Sequence, residues 1–284
     1  MPKDELEGSR TPAPGRGEMI AIASAKGGIG RTVIAVNLAV ALSKNTRLKV
    51  SVLDGDFQFG DVGLAMDIHP TFTIKDVVDS LEAMDRHTLP SYLIHHSSGV
   101  KVLAAPERPE HAELVTPEVV NRVCDLLLQQ YDYVIADTGV GLQEQSLALI
   151  EKADQVFVLT SLEMTAIKNA RLMLETLELL GLRSKVQVVV NRSTMESVIK
   201  ASDVPDILGA ELPIFVPNDF QTVAQSLNIG IPFVMNHAKT DVAKSVFKMA
   251  EQLISRREIA LFKPKQPSLF QSLFAKAKGN TSLF

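Results

Sequence analysis

The 284-residue chain has a single cysteine, Cys124. A disulfide framework within one chain is therefore excluded, and so is a zinc or iron–sulfur site built from several cysteines of one chain. An excess of basic residues is also missing: 29 Lys and Arg stand against 33 Asp and Glu, for a formal net charge of −4. That disfavours a globally basic nucleic-acid binder and leaves room only for a local basic patch. Long apolar runs are absent. The most apolar long window, Val33–Leu42, is interrupted by Asn37 and is too short to span a bilayer. The opening residues, Met1–Glu18, are rich in charge, Pro and Gly, and do not read as a secretory signal. There is no internal repeat, no Ser–His–Asp arrangement and no setting for a nucleophilic cysteine. Cys124 falls inside a predicted helix and reads as a buried structural thiol. His95 and His96 have no Cys or carboxylate at metal-ligand spacing and read as a solvated loop. What remains is a globular protein of a reducing compartment, 46% hydrophobic and 22% charged. It is long enough to bury a sizeable core.

Three zones separate by composition. Residues 1–17 read as a flexible tail, 18–258 as one α/β domain, and 259–284 as a C-terminal tail with a short apolar-basic stretch. Within the domain, strands are expected at Met19–Ser24, Lys49–Leu53, Val100–Ala104, Tyr133–Asp137, Gln155–Thr160, Lys185–Asn191 and Leu212–Val216. Most are near-continuous apolar runs, which suits a parallel sheet buried on both faces. Helices are expected at Thr32–Lys44, Pro117–Gln130, Leu142–Lys152, Glu163–Leu180, Pro205–Gly209, Asp219–Leu227 and Asp241–Arg257. In the fourth of these, Met164, Ile167, Leu172, Leu174 and Leu177 read as core positions. Thr116 and Pro117 mark a helix start, and Gly181 a helix stop. The alternation implies a three-layer α/β fold with a mainly parallel, twisted sheet. Ligands of such folds sit at the carboxyl ends of the strands.

The sharpest signal lies at one of those ends. The strand Met19–Ser24 runs into Ala25-Lys26-Gly27-Gly28-Ile29-Gly30-Arg31-Thr32, where a helix begins. Glycines let a backbone turn tightly and aim its N–H groups at an anion, and the helix N-terminus adds its dipole. Thr32 stands where a hydroxyl ligates magnesium in the phosphate-loop pattern. Two departures from that pattern are visible. Ala25 replaces the first glycine and Lys26 precedes the glycine pair, while Arg31 replaces the usual lysine.

The K-G-G-x-G-[KR]-T pattern resembles the deviant Walker A loop of the MinD/ParA ATPases, which are P-loop NTPases of the SIMIBI type. The resemblance runs over most of 18–258. It implies ATP and Mg2+ as ligands, held at Lys26, Gly27, Gly28, Ile29, Gly30, Arg31, Thr32 and Val33. It also implies a homodimer in which Lys26 reaches across an ATP sandwich to the partner's phosphates. Arg31 keeps the charge of the usual lysine but presents a planar fork.

Two carboxylate elements join the loop. Asp54-Gly55-Asp56 ends the strand Lys49–Leu53, with the two side chains on one side of an extended segment. The pair reads either as turn or capping aspartates or as a metal and phosphate site. By the resemblance, Asp56 positions or activates the attacking water and Asp54 lies near the magnesium. Tyr133-Val134-Ile135-Ala136-Asp137 is a Walker B pattern, with Asp137 acting on magnesium. Gly139 and Gly141 would give a mobile loop after it. Such a set fits phosphoryl transfer to water, which is mostly positioning and charge neutralisation. Asn191-Arg192 and Pro217-Asn218 end two further strands. They read as ordinary turns or, by the resemblance, as the adenine site.

Several branches share the loop. The nitrogenase iron protein branch needs two cysteines per chain and is excluded. The segments Asp54–Asp61, Leu103–Glu107, Glu113–Glu118, Pro217–Asn228 and Gly230–Pro232 resemble the CpaE/TadZ group. Those are the ATPases of Tad (Flp) pilus and tight-adherence secretion systems, often with a receiver-like domain ahead of the ATPase. Pilus or secretion assembly proteins are then the implied partners. A MinD-like ATPase serving another machine, a ParA-like DNA-partition ATPase and an ATP-bound scaffold are the alternatives.

In the C-terminal tail, Leu269, Phe270, Leu273 and Phe274 share one side of a helical wheel, and Lys276 and Lys278 follow. No acidic residue occurs from 259 onward. The stretch reads as a small interfacial helix attracted to anionic lipid, as a helix docked on the domain, or as a disordered tail. The first reading makes the protein cytoplasmic and peripheral on the inner face of the membrane.

Overall fold

The computed structural model describes residues 16–45, 47–210 and 212–262. Most of the N-terminal tail and the expected lipid-facing residues Leu269, Phe270, Leu273, Phe274, Lys276 and Lys278 lie outside the described residues.

The first half of the chain forms β1 (Glu18–Ser24), α1 (Arg31–Ser43), β2 (Val50–Gly55), α2 (Val62–Ala65), α3 (Ile74–Asp79), β3 (Ile94–His95), β4 (Lys101–Leu103), α4 (Pro117–Leu128) and β5 (Tyr133–Thr138). The second half forms α5 (Glu144–Lys152), β6 (Gln155–Thr160), α6 (Met164–Leu179), β7 (Val186–Val190), α7 (Val204–Leu208), β8 (Ile214–Phe215), α8 (Phe220–Ile229), α9 (Phe233–Asn236) and α10 (Asp241–Phe262). The strands make one sheet in the order β3-β4-β2-β5-β1-β6-β7-β8. Every pairing is parallel except β3–β4, which is antiparallel.

The sheet divides two cores. One face packs against α3, α4, α5, α6 and α7, the other against α1, α2, α9 and α10. All residues of β1 and β5 are buried, which explains why these strands read as continuous apolar runs. Helix α1 is buried from Val33 to Leu42. Its one polar intruder is paired on both sides: Asn37 donates to Val33 O (2.8 Å) and accepts from the Val234 amide (3.1 Å). The last helix is fixed at the amino ends of the strands. Arg256 pairs with buried Glu18, and Arg257 pairs with Asp132 (3.2 Å) and lies over the Tyr133 ring.

The expected three-layer, mainly parallel architecture is present. Thr116 caps α4 by accepting from the Val119 amide, with Pro117 in first position, and Gly181 follows α6 at φ +72°. Some expectations need correction. His95 lies in β3, a two-residue edge strand too short to give a periodic signal. His96 is not merely solvated: its Nδ1 lies 2.8 Å from Ser98 Oγ. Met164 and Leu172 are exposed, whereas Ile167, Leu174 and Leu177 are buried. Helix α6 turns only one stripe toward the sheet, and those two side chains lie off it. Cys124 is buried, and burial pushes its thiol up to about 12, so it is inert.

Candidate functional site

The site begins where β1 meets α1. The intervening loop holds Gly28 at φ +72° and Gly30 at φ +99°. The positive φ at Gly30 favours glycine, and a Cβ there would stand 2.7 Å from Asn191 Nδ2 and push that side chain aside. Helix α1 has no side-chain cap and no acidic residue in its first turn. Its end therefore presents N–H donors and a positive dipole end without an internal anion. Gly27 and Gly28 are exposed to solvent.

Sheet order brings the carboxylates to this loop. The β2–β5 register sets Asp54 directly beside Asp137, and β5 neighbours β1. Thr32 Oγ1 donates to Asp137 Oδ2 at 2.5 Å. Asp54 Oδ2 accepts from the Val62 amide (3.1 Å). Both carboxyl groups are buried, and one oxygen of each, Asp54 Oδ1 and Asp137 Oδ1, has no partner among the described residues. Burial, with Asp137 alongside, holds the Asp54 carboxyl well above the usual carboxylate range. Burial likewise raises Asp137 to about 7, opposed by the Thr32 hydrogen bond and the Arg31 charge.

These oxygens fit a hard divalent cation. Among the described residues no group of three or more His, Cys, Asp or Glu is placed to hold a metal alone. Magnesium in phosphate sites needs less: one or two carboxylates, with waters and substrate oxygens completing the shell. Thr32, Asp54 and Asp137 meet that requirement.

Asp56 follows β2 and is half-buried. Its Oδ2 lies 3.2 Å from Arg31 Nη2, and its Oδ1 accepts from the Phe59 amide (3.4 Å). Lys26 Nζ pairs with Glu163 and lies 3.1 Å from Thr165 Oγ1. The lysine holds the Glu163 carboxyl below its usual range. Neither Glu163 nor Thr165 was among the candidates from the sequence. Their one signal was position: they follow β6, whose carboxyl end adjoins that of β1.

Asn191 and Arg192 engage the loop itself. Asn191 Nδ2 donates to Ile29 O (2.7 Å) and Arg192 Nη2 to Gly28 O (3.2 Å). Arg192 adopts φ +54° to do so, a strained region for a residue with a side chain. Pro217 and Asn218 sit beside this turn, with the Asn218 amide donating to Thr194 Oγ1 (3.0 Å). Val33 is buried in α1, so its side chain belongs to the core beneath the loop. The Gly141 amide donates to Ser24 O (2.9 Å), tying the segment after β5 to the end of β1. A cleft of about 770 Å³ between α6, β7 and α7, lined in part by Arg171, Glu175, Arg183 and Asp206, involves none of these residues.

A family model described as an AAA domain matches residues 17–190. The chain belongs to this family. An uncharacterised ATP-binding protein of Methanocaldococcus jannaschii is 30% identical over 261 residues, spanning 90% of this chain and 95% of the relative. The septum site-determining protein MinD of Thermotoga maritima is 26% identical, over 84% of this chain and 88% of its own length. Among solved structures, a ParA family ATPase from Chlorobium tepidum superposes with a TM-score of 0.78 at 22% identity, over 84% of this chain and 98% of that one. The septum site-determining protein MinD of Pyrococcus horikoshii, complexed with Mg-ADP, gives 0.74 at 22% identity, over 86% and 98%. The chain's relatives thus include a MinD protein, and its fold is that of the MinD and ParA-family ATPase structures.

Proposed function

We propose that the chain binds Mg-ATP at the β1–α1 loop, dimerises through the bound nucleotide, and hydrolyses it slowly, acting as a positioning switch. The observation that carries this is the Thr32–Asp137 hydrogen bond at the mouth of uncapped α1, beside Asp54 with its unpaired oxygen. Hydroxyl and carboxylates would hold magnesium, the loop amides and Arg31 the phosphates, and Asp56 the attacking water. Lys26 would cross to the partner's nucleotide, as the loop pattern implies. Asn191, Arg192, Pro217 and Asn218 would line the adenine. MinD from Aquifex aeolicus has been solved in complex with MinC, which supports recruitment of a further protein.

The finer role we propose is positioning or assembly of a Tad/Flp-type pilus or secretion apparatus at the cytoplasmic face of a membrane. Its support is the CpaE/TadZ-like run Asp54–Asp61 and the segment Pro217–Asn228, with the apolar-basic stretch from Ser268. Among the described residues no helix is long and apolar enough to cross a membrane, so attachment would be through the tail. Two weak tails in one dimer would add through effective concentration and couple lipid binding to ATP.

Turnover of Mg-ATP by the wild type and by Asp56→Ala tests the enzymatic reading. Loss of turnover with retained binding supports it, and unchanged turnover removes Asp56 from the mechanism. Co-sedimentation with anionic liposomes, in ATP and in ADP, tests the membrane reading on the full chain and on one ending before Ser268. Binding that requires both ATP and the tail supports it. Salt-sensitive, ATP-dependent binding to duplex DNA instead would favour a partition role.

A further inference from the structure

Arg31 occupies the place of the phosphate-loop lysine, yet its surroundings are not those of a point charge. Its side chain is 10% exposed. One arm, Nη2, lies 3.2 Å from Asp56 Oδ2. The other, Nη1, is buried and has no hydrogen-bond partner among the described residues. A buried guanidinium N–H without an acceptor is unfavourable. The group belongs to the first turn of α1, pairs with Asp56, and its charge acts on Asp137.

A guanidinium presents donors in a rigid fork, so two acceptors can be held at once in fixed relation. An ammonium on a flexible stem lacks that fixed relation. We propose that Arg31 is a bridge: Nη1 takes an oxygen of the terminal phosphate of a nucleoside triphosphate while Nη2 keeps Asp56. The contact with phosphate is a binding role. The contact with Asp56 is a positioning role, since it sets the water-directing carboxylate at a fixed offset from the phosphorus under attack. A diphosphate leaves Nη1 unmatched, so the same fork discriminates between substrate and product. The inference rests on the nucleotide reading above and adds to it the part played by the arginine in place of lysine.

The test is calorimetric binding of Mg-ATPγS and Mg-ADP to the full-length wild type, Arg31→Lys and Asp56→Asn, with turnover of Mg-ATP measured in parallel. In Arg31→Lys, affinity for Mg-ATPγS should fall about tenfold and kcat at least about tenfold, with Mg-ADP affinity moving less than about threefold. Asp56→Asn leaves the fork in place and should keep the triphosphate preference while losing turnover. Because Mg-ADP binding reports an intact loop, a folding defect in Arg31→Lys would show as loss of both ligands, and the wild type then decides: equal affinities for Mg-ATPγS and Mg-ADP would overturn the bridge. Arg31→Lys with unchanged preference, or with turnover equal to or faster than wild type, would overturn the bridge and leave Arg31 as a charge only. A wild type that binds neither nucleotide would overturn the nucleotide reading itself, which is a different outcome.

Discussion

Lys26 Nζ is paired with the Glu163 carboxylate, with Thr165 Oγ1 at 3.1 Å, at the start of α6. A lysine required by a partner's phosphates would first have to leave this acceptor. Lys26 is 35% and Glu163 49% exposed, so the pair is weak, worth no more than about 1 kcal/mol in solvent. Both lysines of the dimer are released, so Glu163→Gln should lower the protein concentration needed for the Mg-ATP dimer, by no more than about thirtyfold. Sedimentation velocity across a concentration series measures it. A threshold that rises instead would mean that Glu163 belongs to the dimer contact.

The raised Asp137 carboxyl makes metal binding a proton exchange. With its carboxyl titrating at about 7, the group is increasingly protonated as pH falls, and a cation must displace that proton. Mg-nucleotide affinity should rise about tenfold from pH 6 to pH 8 for one such proton. Calorimetry in buffers of different ionisation heat counts the protons released. Release near zero at pH 6 would remove Asp137 from the metal site. The metal-free chain has the opposite dependence. Its folded carboxyl lies above the unfolded value, so that contribution is complete below about pH 4 and is lost as pH rises through 7.

Asn191 holds the buried Ile29 carbonyl at 2.7 Å. Asn191→Ala should destabilise the chain by about 1–3 kcal/mol without any nucleotide, because the carbonyl loses its partner. Denaturant unfolding reads this directly. If Asn191 acted only on a base, stability without nucleotide would be unchanged.

The phosphate loop was legible because it is local: glycine positions, a preceding strand and a following helix are adjacent in sequence. The strand-end aspartates were legible for the same reason, and the parallel sheet follows from the continuous apolar runs. Contacts between distant segments were not. Arg31 and Asp56 were each singled out, but their pairing depends on β2 lying two places from β1 in the sheet. Glu163 gave no pattern of its own, since a single carboxylate after a strand is common. The turn at Asn191 read as a choice between a plain turn and a base contact, and its grip on the loop carbonyls depends on side-chain direction. The two-residue β3 and the four-residue α2 and α9 are too short to carry a period.

At the heart of the proposed switch is a nucleotide-controlled change of assembly. The most direct measurement is light scattering coupled to size exclusion, on Asp56→Ala held in Mg-ATP or in Mg-ADP so that hydrolysis does not blur the two states. The expected result is a dimer with Mg-ATP, a monomer with Mg-ADP, and a monomer in both when Lys26→Ala is added. One mass in both nucleotides would contradict it.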